Sequence, residues 1–414
     1  MYKIPSGSYY VVGNLAVGLV PMFLIPVLTR YLSTESYGVL AIYQTMITVF
    51  VITSGSFVVN TVNRIYFSQD EGRSSSYQGY VAAALLVVFI CTGFSLLLLL
   101  VIHGLGGLDA TLATLFLGAI LHGSFTSVIQ IRLGQWQIKK EPKKYVITQV
   151  MLAVLSGALT AIAVVHVISN EWGRIFPQLI SLFIVALAAV FSLVHTKDYQ
   201  VISLVYKNVK DLVGRGVYLI PHMLVSGFLT TADKAVVGLT LGLREAGIYF
   251  VTFQLARVID IFTTGVNKAL IAYVFEKLEE NKKGAFDEVF FQSSALSTLF
   301  MVCGIASWYL IIAFENFLVG GEFYVDKVVL LLCIQGFVFK GCYLVFSNFL
   351  FYFEKNKLLS TLSLKTLILS SVCLFVGSYY FGIQGAAAGF MFGMFWRFYS
   401  VFRIVVKLKK NQEV

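Results

Sequence analysis

Apolar residues run along this chain in long, nearly continuous blocks. A block of about 20 such residues is what a helix needs to cross the hydrocarbon core of a bilayer. The sequence offers twelve, centred in residues 8–30, 38–62, 79–102, 110–131, 146–168, 175–195, 217–242, 247–271, 289–313, 328–352, 359–381 and 384–405. The breaks between them alternate. Short ones nearly free of Lys and Arg fall at 33–36, 103–109, 169–174, 243–246, 314–327 and 381–383. Longer basic ones fall at 64–78, 132–144, 195–216, 276–288, 354–357 and in the tail from 407. The first block lacks a small-residue cleavage site and reads as a retained first helix.

Composition gives the same picture. Hydrophobic residues make up 58% of the 414, charged residues only 13%, and mean hydropathy is +0.83. A soluble domain carries about 25% charged residues, so the solvent of this chain is lipid. The net charge of +10 is therefore a question of sidedness and not of nucleic acid, which is not an expected partner. Most of the 31 Lys and Arg lie in the basic breaks. The positive-inside rule then puts those breaks and both termini in the cytoplasm of a bacterial inner membrane. Within 195–216, Ile202, Val205, Val209 and Leu212 share one helical face, with Lys207, Lys210 and Asp211 off it. That pattern predicts an amphipathic helix lying on the inner leaflet.

Shifting the chain by 209 residues superposes the opening of each half. Gly7 meets Gly216, Tyr9 Tyr218, Leu15 Leu224, Gly18 Gly227, Val27 Val236, Leu32 Leu241 and Gly38 Gly247. The repeat maps span 1 on span 7 with the same direction. Parallel repeats related by an axis along the membrane normal are a transporter pattern, with the substrate path between them. The expected fold is thus all-α integral membrane, with about 12 transmembrane helices in two six-helix lobes. The lobes are residues 1–195 and 217–414, joined by a cytoplasmic linker at 196–216. Pro21, Pro26 and Pro221 are expected to kink the leading helix of each half.

Ionisable residues at membrane depth are costly and mark a pathway or a pair. Span 7 carries Asp233 and Lys234, span 8 Arg257, Asp260 and Lys268, span 10 Lys340, span 11 Lys365 and span 12 Arg397. Arg257, Thr264 and Lys268 fall on one face of span 8, with Gln254 beside it. Asp260 is three residues from Arg257, close enough to pair. Two carboxylates cannot neutralise six cations. One reading is a cationic lumen that attracts phosphate or diphosphate, with Asp233 and Asp260 as groups for H+ or Na+ coupling. The other is structural pairing, with the lysines snorkelling to an interface. His122 and His166 read as interhelix hydrogen-bonding residues. Cys91, Cys303, Cys333, Cys342 and Cys373 lie in apolar runs without metal or disulfide spacing.

No phosphate-binding Walker loop and no H-E-x-x-H occur. No break exceeds about 22 residues, too little for the pocket of a membrane glycosyltransferase or polymerase. The chain is not expected to be an enzyme or to hold a cofactor or metal.

The stretch Leu28-Thr-Arg-Tyr-Leu-Ser-Thr-Glu-Ser-Tyr-Gly38-Val-Leu resembles the segment joining spans 1 and 2 in Wzx-type polysaccharide (O-antigen) flippases. These belong to the multidrug/oligosaccharidyl-lipid/polysaccharide exporter superfamily. Arg30, Glu35, Tyr37 and Gly38 carry the match. In the second half, Asp233-Lys and Gly247-Ile-Tyr249 are similar to the corresponding segment of the second lobe. The resemblance implies translocation of undecaprenyl-diphosphate-linked oligosaccharide, an O-antigen or capsule repeat unit, from cytoplasmic to periplasmic leaflet. It implies two lobes around a central cavity that opens to each side in turn, and ion coupling. It also implies pathway partners: a polymerase and a chain-length regulator. Arg257, Lys268, Lys340, Arg30, Lys365 and Arg397 are the candidate substrate-binding cations. An ion-coupled multidrug antiporter of the same fold is the alternative; it would favour lumenal carboxylates.

Overall fold

A computed structural model describes residues 6–67, 74–196, 205–279 and 284–412, and among these the regular structure is helical throughout. Helix α1 is Ser6–Tyr31 and α2 is Thr34–Val51. A π-helical turn, Ile52–Ser56, leads into α3, Phe57–Phe67. Then follow α4 Ser74–Gly104, α5 Ala110–Ile138, α6 Pro142–His166, α7 Trp172–His195 and α8 Val205–Gly216. The second half holds α9 Ile220–Leu241, α10 Leu243–Glu279, α11 Ala285–Ala313, the short α12 Glu315–Leu318, α13 Lys327–Tyr352 and α14 Asn356–Gln412.

Ten helices among the described residues are long and apolar enough to cross a membrane. The last of these, Leu358–Lys410, is bent at Gly382 (φ 62°, ψ −145°). That conformation is open essentially to glycine alone. The two limbs of α14 run back along each other. A side chain on Gly385 would overlap the Gly377 carbonyl, one on Gly389 would lie 2.6 Å from Leu374 Cα, and one on Gly393 2.6 Å from Ser370 Cβ. The bend falls in the expected break at 381–383, so α14 supplies two crossing segments. With α1, 26 residues long, the helices account for the twelve spans expected.

Helix starts follow local chemistry. Asp109 accepts from the Leu112 amide at the start of α5, and Asp326 from the Val328 and Val329 amides at the start of α13. Each meets amides with no partner inside the helix. The prolines behave differently from one another. Pro21 and Pro26 lie inside α1. Pro221, expected to kink span 7, is instead the second residue of α9, after a 3-10 turn at Val217–Leu219. An amide missing there costs no hydrogen bond. The break in span 2 is one the sequence reading missed: at Gly55 (φ 134°) the backbone approaches α4, and a side chain would lie 2.5 Å from Val88 Cγ2.

By packing, the chain forms two compact units, residues 42–231 and residues 1–41 with 232–414. In the first, Val58, Val62, Val81, Ala84, Val88, Leu193 and Leu212 form one core. Helix α8 appears in the expected linker. Its residues Val209, Leu212 and Val213 pack into that core and Leu212 is fully buried, so the apolar face is turned to α3 and α4 and not to the inner leaflet. Ile202 lies outside the described residues. In the second unit α13 packs on α10, α11 and α14, with Phe346, Phe349, Leu350, Val401 and Val405 at the centre.

Candidate substrate site

Helix α10 carries the densest polar content, arranged around one stripe. Along it, Arg257 and Lys268 are exposed and Thr264 is half-buried. This is the stripe that the helical period predicts. On either side of it, the polar groups find partners. Gln254 accepts from the Tyr37 hydroxyl at 3.2 Å, and Asn267 accepts from Asn348 of α13 at 2.9 Å.

Asp260 lies on the Asn267 flank of the stripe. Its partner is Lys340 of α13, at 2.7 Å, with side chains 13% and 20% exposed. The Thr264 hydroxyl donates to the same carboxylate at 3.4 Å. The pairing with Arg257 expected from sequence spacing is not the one formed. An i,i+3 neighbour on one helix meets only side by side, whereas Lys340 reaches straight across a packed helix pair.

Asp233 and Lys234 of α9 form a pair of their own at 2.8 Å, both side chains 3% exposed. Tyr249 of α10 donates to the second carboxylate oxygen at 2.9 Å, and the Lys234 ammonium lies 3.5 Å from the centre of the Phe253 ring. Carboxylate and ammonium are thus both compensated in a dry place, which a buried pair requires if it is not to cost stability.

The remaining cations divide. Arg397 of α14 stacks on Tyr343, guanidinium to ring 4.0 Å, and donates to the Tyr343 hydroxyl and Ser363. Lys365 is exposed on the first limb of α14. Arg30, at the end of α1, donates to the carbonyls of Pro26 and Phe317 and so ties two chain segments together. The structure therefore brings Asp260, Lys340 and Arg257 to one region of α10 and α13. Arg30 stands apart from them at a helix end. After the two ion pairs are made, Arg257, Lys268, Lys365 and Arg397 have no carboxylate partner among the described residues.

Sequence reasoning singled out Tyr249 beside Asp233 but not their bond, and it missed Phe253, Tyr343 and Ser363, which engage these charges from other helices or turns. It also placed Arg132 in a basic loop. Arg132 is instead inside α5 and 1% exposed, donating to Gln135 and Ser192 and stacking on Trp136 at 4.8 Å. His122 is buried while His166 is exposed at the end of α6. Cys333 and Cys342 are buried, and Cys91, Cys303 and Cys373 half-buried.

The comparisons with known proteins bear on this arrangement. The model of a family described as polysaccharide biosynthesis protein matches residues 5–276. The chain belongs to the polysaccharide biosynthesis protein family. A protein of the Lsg locus of Haemophilus influenzae is 27% identical over 369 residues, 87% of each chain. A second membrane protein of that organism is 28% identical over 376 residues, 89% of each. Among solved structures, an inward-facing multidrug resistance MATE family transporter of the MOP superfamily superposes with a TM-score of 0.65 at 12% identity, over 99% of this chain and 97% of that one. A Vibrio cholerae MATE transporter does so with a TM-score of 0.65 at 11% identity, over 98% and 96%. Those likenesses establish the fold. Membership in the family agrees with the resemblance carried by the segments around Arg30–Gly38 and Asp233–Tyr249, and the apolar helices make the chain a multi-pass membrane protein of polysaccharide biosynthesis.

Proposed function

We propose that the chain moves undecaprenyl-diphosphate-linked oligosaccharide, an O-antigen or capsule repeat unit, from the cytoplasmic to the periplasmic leaflet of the inner membrane by alternating access. The observation that carries this reading is the cation surplus: among the described residues, Arg257, Lys268, Lys365 and Arg397 have no carboxylate partner. A diphosphate is the complementary charge. Arg257 and Lys268, on the exposed face of α10, are the first contacts we assign to it. Lys340 follows when Asp260 releases it, and Asp260 is the favoured group for H+ or Na+ coupling because it is less buried than Asp233. A polymerase and a chain-length regulator of the same pathway are partners of the chain in this reading.

The MATE fold keeps an ion-coupled multidrug antiporter in view. Against it, Asp233 and Asp260 each hold a lysine, so a cationic drug would have to displace a lysine to reach either carboxylate. The test is a deletion strain scored for lipid-linked oligosaccharide on each leaflet. We expect accumulation on the cytoplasmic leaflet and loss of surface polymer, both restored by the gene. Normal sidedness and polymer would overturn the proposal and direct a substrate screen toward drugs.

A further inference from the structure

The internal repeat reappears in the structure as a contact. Helix α2 begins at Thr34 and α10 at Leu243, positions equivalent under the 209-residue shift. One turn in, Gly38 and Gly247 are equivalent as well. A side chain on Gly38 would overlap the Leu243 carbonyl oxygen, and one on Gly247 would overlap the Thr34 carbonyl oxygen and lie 3.1 Å from the Gly38 amide nitrogen. The contact is reciprocal: each glycine meets the first residue of the other repeat's helix. Such a pattern arises when two related segments face each other across a local two-fold axis. Duplication of the sequence does not require it, because repeated segments can pack anywhere.

The surroundings are those of a seat made to fit. Tyr37 is fully buried and its hydroxyl donates to Gln254. Its ring meets Phe250 at 5.7 Å and Phe323 at 5.3 Å. Its repeat equivalent is Ala246, also fully buried, so a large side chain on one side is matched by a small one on the other. Arg30 and Thr29 bind the chain at Phe317 and Gly320. At the glycines themselves, backbone lies on backbone with almost no side-chain area. Such contacts contribute little each and separate without stripping a large apolar surface.

We propose that Gly38 and Gly247 are the positioning residues of the outer closure of the transport path. The first turns of α2 and α10 meet there when the path is shut to the outside and part when it opens. The turns before both helices are nearly free of Lys and Arg, which puts them on the outer side. This inference rests on the transport reading above, yet the closure is measurable without substrate. Alanine at either position keeps helix propensity but removes the space on which the contact depends.

The experiment places a cysteine at Ala41, one turn inward on α2 and fully buried. Its labelling by a membrane-impermeant maleimide is followed in intact cells against the parent chain. We expect Gly38→Ala and Gly247→Ala each to raise the labelling rate at least about threefold, as a shift of population toward the open state requires. Unchanged labelling in both, at normal membrane level, overturns the closure. Should the alanine variants not accumulate, Tyr37→Phe carries the test. It adds no bulk and removes the bond to Gln254; a smaller rise is expected, and no rise overturns the proposal. Raised labelling in cells whose surface polymer never depended on this chain leaves the closure standing and removes the flippase reading.

Discussion

Individual side chains in this protein are governed by the cost of placing charge in a dry medium. Asp260 and Lys340 show it most simply. Asp260→Asn or Lys340→Met alone should cost about 2 kcal/mol of stability in detergent, at the low side for a buried pair because both keep some exposure. The double variant should cost clearly less than the sum, and a double-mutant cycle on thermal unfolding checks this. Arg257 has no such partner among the described residues. Arg257→Ala should leave membrane level unchanged and lower transport about tenfold, the worth of one charge-assisted contact, with partial recovery in Arg257→Lys. Normal surface glycan in Arg257→Ala would remove it from the site. If Asp260 couples transport to protons, Asp260→Asn alters the pH profile of transport and Asp233→Asn, held by Lys234 and Tyr249, alters it less. The stripe Arg257, Thr264, Lys268 was legible because helical period is a local property. The partner of Asp260 was not. Lys340 lies eighty positions away, and only packing of α10 on α13 selects it over Arg257. Arg132 was misplaced for a related reason: its neighbours 139–144 are basic, and nothing nearby in sequence signals that Gln135, Trp136 and Ser192 enclose it.

Among the helices, length and apolarity were enough to locate nearly every crossing segment, since a lipid solvent imposes one rule on all of them. What the pattern did not carry was where a helix bends. Gly55 turns span 2 through a π-helical step against Val88, and only the approach of α4 explains why a glycine is there. At Gly382 the reverse holds: the break was visible, and the structure adds the tight seam of Gly377, Gly385, Gly389 and Gly393 beneath it. Gly382→Ala should lower detergent stability by about 1–3 kcal/mol through backbone strain alone. Gly385→Val should do more, by wedging the two limbs apart, and a fluorescence-detected melting series orders the two. The amphipathic face of α8 was read correctly as a face and assigned the wrong neighbour, because lipid and a protein core select the same side chains.

At the level of the entire molecule, the family is that of polysaccharide biosynthesis proteins and the fold that of MATE transporters, and the proposal that an anionic lipid-linked sugar is moved adds to these the cations of the second half that hold no carboxylate among the described residues. The sidedness that the positive-inside rule predicts is separately testable: reporter fusions at either terminus should be active only as cytoplasmic reporters. A fusion active in the periplasm at either end would invert the scheme. The same economy that leaves little chain outside the bilayer also limits how the protein can be handled. Gly242 alone separates α9 from α10, and two residues separate α1 from α2, hard against the reciprocal glycine contact. An epitope tag placed in either turn would act as a wedge. The turn between α4 and α5 is wider, and around Gly104 and Gly106 there is open space; that is the place where an antibody handle can be grafted without reaching the machinery beneath.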